Sequence, residues 1–114
     1  MPVTIWHNPR CSKSRETLAL VEDKEQGVIV RKYLEDAPDA TEIRAALAML
    51  GIGARDLMRT KEALYKDLGL DGISDEDKLI DVMAANPKLI ERPVVFKDGK
   101  ARLGRPPEAV LEIL

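Results

Sequence analysis

Hydrophobic and polar positions follow two rhythms along this chain. Val3-Thr4-Ile5-Trp6-His7 alternates branched or aromatic residues with polar ones, which predicts a short strand over residues 3–7 that Asn8-Pro9 brings to a stop. From Ser12 to Asp23 the period lengthens to that of a helix, with Leu18 and Val21 on one face and Glu16, Glu22 and Asp23 turned outward. Gly27 interrupts this pattern, and Val28 to Leu34 predicts a second strand. Together these segments form a β-α-β unit with Cys11 at the junction of the first strand and its helix.

Pro38 places a loop over residues 36–39, and Thr41 is a good N-cap for a helix carrying Ile43, Ala46, Leu47 and Leu50, closed by Gly51. Shorter helical pieces follow at 54–58 and 62–68. Ser74-Asp75-Glu76-Asp77 fits a capping box ahead of Leu79, Ile80, Val82 and Met83, in a helix expected to end near Asn86-Pro87. Asp98-Gly99 between Pro93–Phe96 and Lys100–Leu103 is a hairpin signal, because both central residues of a tight hairpin turn need positive φ. Pro106-Pro107 opens a last helix with Val110, Leu111, Ile113 and Leu114; proline is tolerated in a first turn, whose amides lack intrahelical partners.

The order β-α-β, helices, β-β-α predicts an α/β fold with a thioredoxin-like mixed sheet, strand 3–7 lying inside it. Residues 1–114 read as a single domain, and the helices over about 41–86 exceed what that minimal fold needs, so they are expected to form an inserted helical cap. The 114 residues suit one domain. At 45% hydrophobic and 33% charged, the chain has the apolar content for a core without disulfides or a structural metal.

Charge and residue counts narrow the chemistry. Eighteen basic against twenty acidic residues leave a net charge of −2, which offers no bulk attraction for nucleic acid or an anionic membrane. No apolar run approaches the ~18 residues of a membrane span, and the N-terminal residues lack the features of a signal peptide, so a cytoplasmic location is expected. One cysteine and one histidine exclude an intrachain disulfide, a Cys-rich zinc site, a clustered-His metal site and a self-contained dithiol pair. No bound metal or cofactor is expected. Redox chemistry at Cys11 must take its second thiol from another molecule.

A lone cytosolic cysteine is most often an inert small side chain. Cys11 departs from that pattern because it sits at a helix start, where free amides and the helix dipole favour thiolate, and because Arg10, Lys13 and Arg15 surround it in sequence. Lowering a thiol pKa from ~8.5 to ~6.5 raises the thiolate fraction at pH 7 about 25-fold. That is ~1.9 kcal/mol, partly returned as weaker nucleophilicity. Thiolate activation alone does not make an enzyme, and an oxyanion substrate needs cationic groups as well. Ser14 stands where a C-x-x-C motif carries its second cysteine; it can bond first-turn amides, donate a hydroxyl to the thiolate, or do both. His7 either tunes the thiol or ends the strand. Arg92 precedes Pro93 at a strand start, where fold analogy places a cis-proline loop beside the reactive thiol.

His7-Asn8-Pro9-Arg10-Cys11-Ser12-Lys13-Ser14-Arg15-Glu16-Thr17-Leu18 resembles the active-site signature of the glutaredoxin-coupled arsenate reductase family, the ArsC type, and is most like its short single-cysteine branch. Leu57-Met58-Arg59, Asn86-Pro87 with Glu91-Arg92-Pro93-Val94, and Gly104-Arg105-Pro106-Pro107-Glu108 resemble the later blocks in the family's order. The resemblance implies that Cys11 attacks arsenate, that His7 and Ser14 assist the thiolate, and that Arg59, Arg92 and Arg105 surround the oxyanion, with Arg10 as a further anion-binding candidate. It also implies glutathione as reducing co-substrate and a glutaredoxin as partner. Guanidinium groups suit a tetrahedral oxyanion because each presents a planar fork of donors. Arg59 and Arg105 also have local alternatives, Arg59 in a cap or ion pair within the helical stretch and Arg105 paired with Glu108, whereas Arg102 matches none of these blocks and is read as a surface residue. Ser12-Lys13 departs from the smaller residues usual after the family's cysteine. Two other functions fit the same fold, a glutathione-linked thiol oxidoreductase and a non-catalytic redox-regulatory protein that binds RNA polymerase, although Ser14 removes the C-x-x-C switch typical of the latter.

Overall fold

A computed structural model describes residues 2–114. The strands are β1 (Thr4–Trp6), β2 (Ile29–Arg31), β3 (Val94–Lys97) and β4 (Lys100–Leu103), and the α-helices are α1 (Ser12–Lys24), α2 (Ala40–Leu50), α3 (Ala54–Leu57), α4 (Ala63–Asp67) and α5 (Glu76–Ala85). Short 3₁₀ helices occupy Leu70–Gly72, Pro87–Leu89 and Pro107–Glu112. The chain divides into two compact units: an α/β unit, comprising residues up to Asp36 together with Arg92–Leu114, and a helical unit, Ala37–Glu91.

In the α/β unit the four strands run in the order β2-β1-β3-β4. β1 pairs in parallel with β2, Ile5 opposite Val30, because α1 supplies the crossover that parallel neighbours require. β1 and β3 are antiparallel, Ile5 opposite Val95, and β3 and β4 form the expected hairpin. Its turn residues Asp98 and Gly99 have φ of +51° and +76°, the left-handed pair that a tight hairpin demands. This is the thioredoxin-like mixed sheet, with β1 inside it. On one face Val3, Ile5 and Val95 pack against Val21 of α1 and Val110 of the last helix, all at most 1% exposed. On the other face Trp6 and Phe96 meet at 4.9 Å between ring centroids, and the Arg31 guanidinium lies 5.9 Å from the Trp6 ring.

Three local expectations need correction. Asp39, not Thr41, caps α2: its carboxylate accepts the Glu42 amide at 2.8 Å, and Glu42 Oε1 accepts the Asp39 amide at 3.2 Å, so the reciprocal box closes two residues earlier. Asp75, not Ser74, caps α5, accepting the Asp77 amide at 3.0 Å. The last helix is 3₁₀ rather than α, closed by Ala109 N–H to Pro106 O at 3.0 Å and Ile113 N–H to Val110 O at 3.2 Å. Pro106 and Pro107 supply no amide donors, and a short segment packed on α1 tolerates the tighter winding.

In the helical unit α2 and α5 pack through Ile43, Ala46 and Leu47 against Leu79, Ile80 and Met83, all buried. Arg55 ties its loops together, donating to Tyr65 Oη, to Leu70 O at 3.1 Å and to Ile73 O. An antiparallel bridge pairs Met58 with Ile90; beside it Arg59 N–H reaches Leu89 O at 2.8 Å and Glu91 N–H reaches Leu57 O at 2.7 Å. Among the described residues no helix is long and apolar enough to cross a membrane.

Candidate active site

β1 delivers the chain to the cysteine loop, and Asn8 shapes it. The His7 amide extends the parallel ladder by donating to Arg31 O at 2.8 Å. Asn8 then accepts the Cys11 amide on its carbonyl at 3.0 Å and the Arg10 amide on Oδ1 at 3.0 Å. Its own amide donates to Ser14 Oγ at 3.0 Å, and Arg15 Nη1 pins Pro9 O at 2.9 Å. Asn8 is therefore a loop-organising residue that sequence reading recognised only as a strand stop. An Asn that turns the chain while bonding an amide two residues on is the available signal.

Cys11 is the N-cap of α1, with extended φ/ψ of −94°/124° and a carbonyl that accepts the Arg15 amide at 3.0 Å. Serine or aspartate would place an oxygen there to satisfy first-turn amides; here a sulfur occupies the cap. Burial pushes the half-buried Cys11 thiol up, but the Ser14 amide, the Arg92 guanidinium (by charge and by hydrogen bond) and the Lys13 amide outweigh it. The net result is a thiol below its ordinary value. The side chains of Arg10, Lys13 and Arg15 are not what lowers it. Lys13 lies 3.7 Å from Glu16, Arg15 is on Pro9, and the cation at the sulfur comes from the β3 end of the sheet.

Ser14 and His7 form a buried pair beneath the loop. His7 Nδ1 and Ser14 Oγ are 2.7 Å apart, with Ser14 fully buried and His7 only 5% exposed. Burial, then Lys32 and Arg15, push the His7 pKa down against a smaller opposing effect of Glu22, so the ring is neutral at pH 7. A neutral imidazole does not act as a cation toward the thiol. The Ser14 hydroxyl is engaged by His7 and the Asn8 amide, so what Ser14 presents to the sulfur is its backbone amide.

Arg92 is joined to Pro93 by a cis peptide bond, as is Arg105 to Pro106. Arg105 Nη1 donates to Arg92 O at 3.1 Å rather than pairing with Glu108, so the two arginines lie together on the cysteine side of the α/β unit. Gly104 makes that approach possible. Its amide donates to Pro93 O at 3.0 Å, and an added Cβ would stand 2.5 Å from Thr17 Oγ1 and 2.7 Å from Pro93 Cγ. Arg102 pairs with Glu112 at 2.9 Å. Arg59 belongs to the helical unit, where its guanidinium lies 3.2 Å from Glu62, which Lys88 also meets at 3.1 Å. No group of three or more metal-ligating side chains occurs among the described residues.

The ArsC family model matches residues 6–113. An uncharacterized protein named YfgD from Escherichia coli K12 is 58% identical, covering 98% of this chain and 96% of that protein. An arsenate reductase from Haemophilus influenzae is 47% identical over the whole of both chains. The solved structure of an arsenate reductase from Vibrio cholerae superimposes with a TM-score of 0.96 at 52% identity, covering 100% of this chain and 98% of that one. With the cysteine on its helix cap and the family match running from Trp6 to Ile113, the chain belongs to the ArsC family.

Proposed function

We propose that this protein is an arsenate reductase that uses glutathione and a glutaredoxin. The observation that carries the proposal is Cys11 at the cap of α1, where the Ser14 and Lys13 amides and the Arg92 guanidinium favour thiolate. In this reading the Cys11 thiolate attacks arsenic and a hydroxyl of arsenate leaves as water. Arg92 and Arg105 balance the charge on the remaining oxygens, and the family resemblance assigns Arg59 the same role. His7 and Ser14 act as positioning residues: they hold the loop that aims the Ser14 amide at sulfur. Glutathione thiol then displaces a second hydroxyl to give Cys11-S-As-S-glutathione. A glutaredoxin thiol takes the glutathione as a mixed disulfide and leaves two electrons on arsenic; hydrolysis releases arsenite and returns free Cys11. With one cysteine in the chain, the second and third thiols come from outside.

The test is NADPH-coupled arsenate reduction with glutathione, glutaredoxin and glutathione reductase. Saturable activity is expected, falling at least about a thousandfold in Cys11→Ser, which keeps the shape but not the thiolate. Folded wild type that reacts with iodoacetamide yet leaves arsenate untouched sinks the substrate assignment. One observation favours a second reading, glutathione-linked thiol exchange without arsenate: Arg59 is engaged by Glu62. That reading expects mixed-disulfide turnover indifferent to Arg59→Ala.

A further inference from the structure

Beside the cysteine loop, on the β2 side, lies a cavity of about 200 Å³ that the mechanism above leaves unused. His7, Asn8 and Arg10 line it from the loop, and Lys32, Leu34 and Glu35 line it from the turn after β2. That turn is fixed by the amides of Glu35 and Asp36, both donating to Lys32 O at 2.9 Å. The charged groups around the cavity form no ion pairs with one another: Arg10, Lys32 and Glu35 have no salt bridge among the described residues. Leu34, a leucine left 44% exposed, adds an apolar surface. His7 is buried elsewhere and has Nδ1 committed to Ser14, which leaves Nε2 as the ring nitrogen available to an occupant.

Two cations, one anion and one apolar side chain make a specific inventory. We propose that this cavity seats a small thiol peptide carrying two carboxylates and one ammonium, which in the reaction proposed above is glutathione. Arg10 and Lys32 take the two carboxylates, Glu35 takes the ammonium, and Leu34 lies against the peptide's methylene groups. Arg10 adjoins Cys11 in the chain, their Cα atoms about 3.8 Å apart, so a short thiol peptide anchored on Arg10 is held next to the residue that carries the sulfur. The assignment separates two jobs that sequence reading merged: Arg10 serves the co-substrate, whereas Arg92 and Arg105 serve the oxyanion. The excess of cations over carboxylate predicts discrimination against neutral thiols, which bring nothing for Arg10 or Lys32 to bind.

The inference rests on the glutathione dependence proposed above, and its test does not require arsenate. Cys11 thiolate is allowed to displace one glutathione thiolate from glutathione disulfide, one S–S bond breaking as another forms, and the rate is compared with that on uncharged bis(2-hydroxyethyl) disulfide. Wild type is expected to prefer glutathione disulfide. Lys32→Ala lowers that rate about fivefold and Lys32→Glu further, Lys32→Arg restores it, and the uncharged disulfide reacts equally with all four proteins. In parallel, the unreactive S-methylglutathione is titrated against the ¹⁵N-labelled protein, with amide shifts expected at His7, Asn8 and Arg10 and at residues 32–35. Equal rates in wild type and Lys32→Ala, or shifts confined to other residues, overturn the seat. If arsenate is not reduced but the Lys32-dependent preference persists, the seat stands and the substrate assignment fails. If arsenate is reduced with glutathione and Lys32→Ala changes neither the KM for glutathione nor the exchange rate, the reaction stands and the seat fails.

Discussion

Arg92 and Arg59 belong to different units and are held in opposite ways. Arg92, in the α/β unit, lies at the Cys11 sulfur, bonding it and lowering its pKa, while its carbonyl accepts Arg105. Arg59, in the helical unit, has its backbone clamped to Leu89 and its guanidinium on the Glu62 carboxylate. One arginine is organised around the thiol and the other around its own helices. The α/β unit thus carries the activated thiolate together with its own arginines, whereas Arg59 is tied to partners within the helical unit.

That contrast yields separable outcomes. Arg92→Ala removes both a charge and a donor from the sulfur, so arsenate turnover should drop about 10²–10³-fold, as for loss of one donor to a developing anion. The pH midpoint of Cys11 alkylation should also move upward, because a cation that stabilises thiolate has gone. Arg59→Ala should raise the KM for arsenate about tenfold, the worth of one exposed-side cation contact at ~1.4 kcal/mol, and leave the alkylation midpoint where it was. Steady-state kinetics with iodoacetamide titrations on both variants measure this. An alkylation midpoint that moves in Arg59→Ala, or stays put in Arg92→Ala, erases the distinction between the two arginines.

The next effect concerns the scaffold that brings Arg105 to Arg92. Gly104→Ala puts a methyl against Thr17 and Pro93, which are backed by α1 and the sheet. Overpacking of this kind costs about 1–3 kcal/mol. Urea unfolding should show that loss, and turnover should fall through Arg105 while Cys11 alkylation changes little. Wild-type stability in Gly104→Ala means the loop shifts freely, and the close approach is then not what fixes Arg105.

These contrasts show how far the chain was legible before its fold. β1, α1 and the hairpin are written in short-range pattern, and their turn chemistry agrees with it. The caps of α2 and α5 are not decided by local sequence, because two capping residues compete at each start, Asp39 with Thr41 and Ser74 with Asp75, and only geometry selects between them. The proline pair announced the last helix but not its 3₁₀ winding. Cys11, His7 and Ser14 lie within eight residues, so their proximity was visible, but not their division of labour. Composition suggested neighbouring basic side chains as activators of the thiol; the fold uses amides and an arginine from the far end of the sequence instead. Thr17 and Gly104, 87 residues apart, meet only in three dimensions.

The smallest effect lies beneath the loop. His7 is neutral because burial and the nearby cations disfavour its charged form, so its folded-state pKa is below that of the unfolded chain. The unfolded state therefore binds a proton that the native state refuses, and stability rises with pH across that window. It is fully present above the unfolded value of ~6.5 and is lost as pH falls through the lowered native one. His7→Gln keeps a polar side chain for Ser14 but has nothing to titrate. Urea midpoints measured from pH 7.5 down to about pH 5 should fall less steeply in His7→Gln than in wild type. Cys11 alkylation at neutral pH should be nearly unchanged, since an uncharged ring brings no net charge to the sulfur and His7 is not among the groups that shift it. If alkylation instead slows as strongly as in Arg92→Ala, then His7 acts on the thiol directly, and the positioning chain from His7 through Ser14 to Asn8 is the wrong account of why a histidine is buried there.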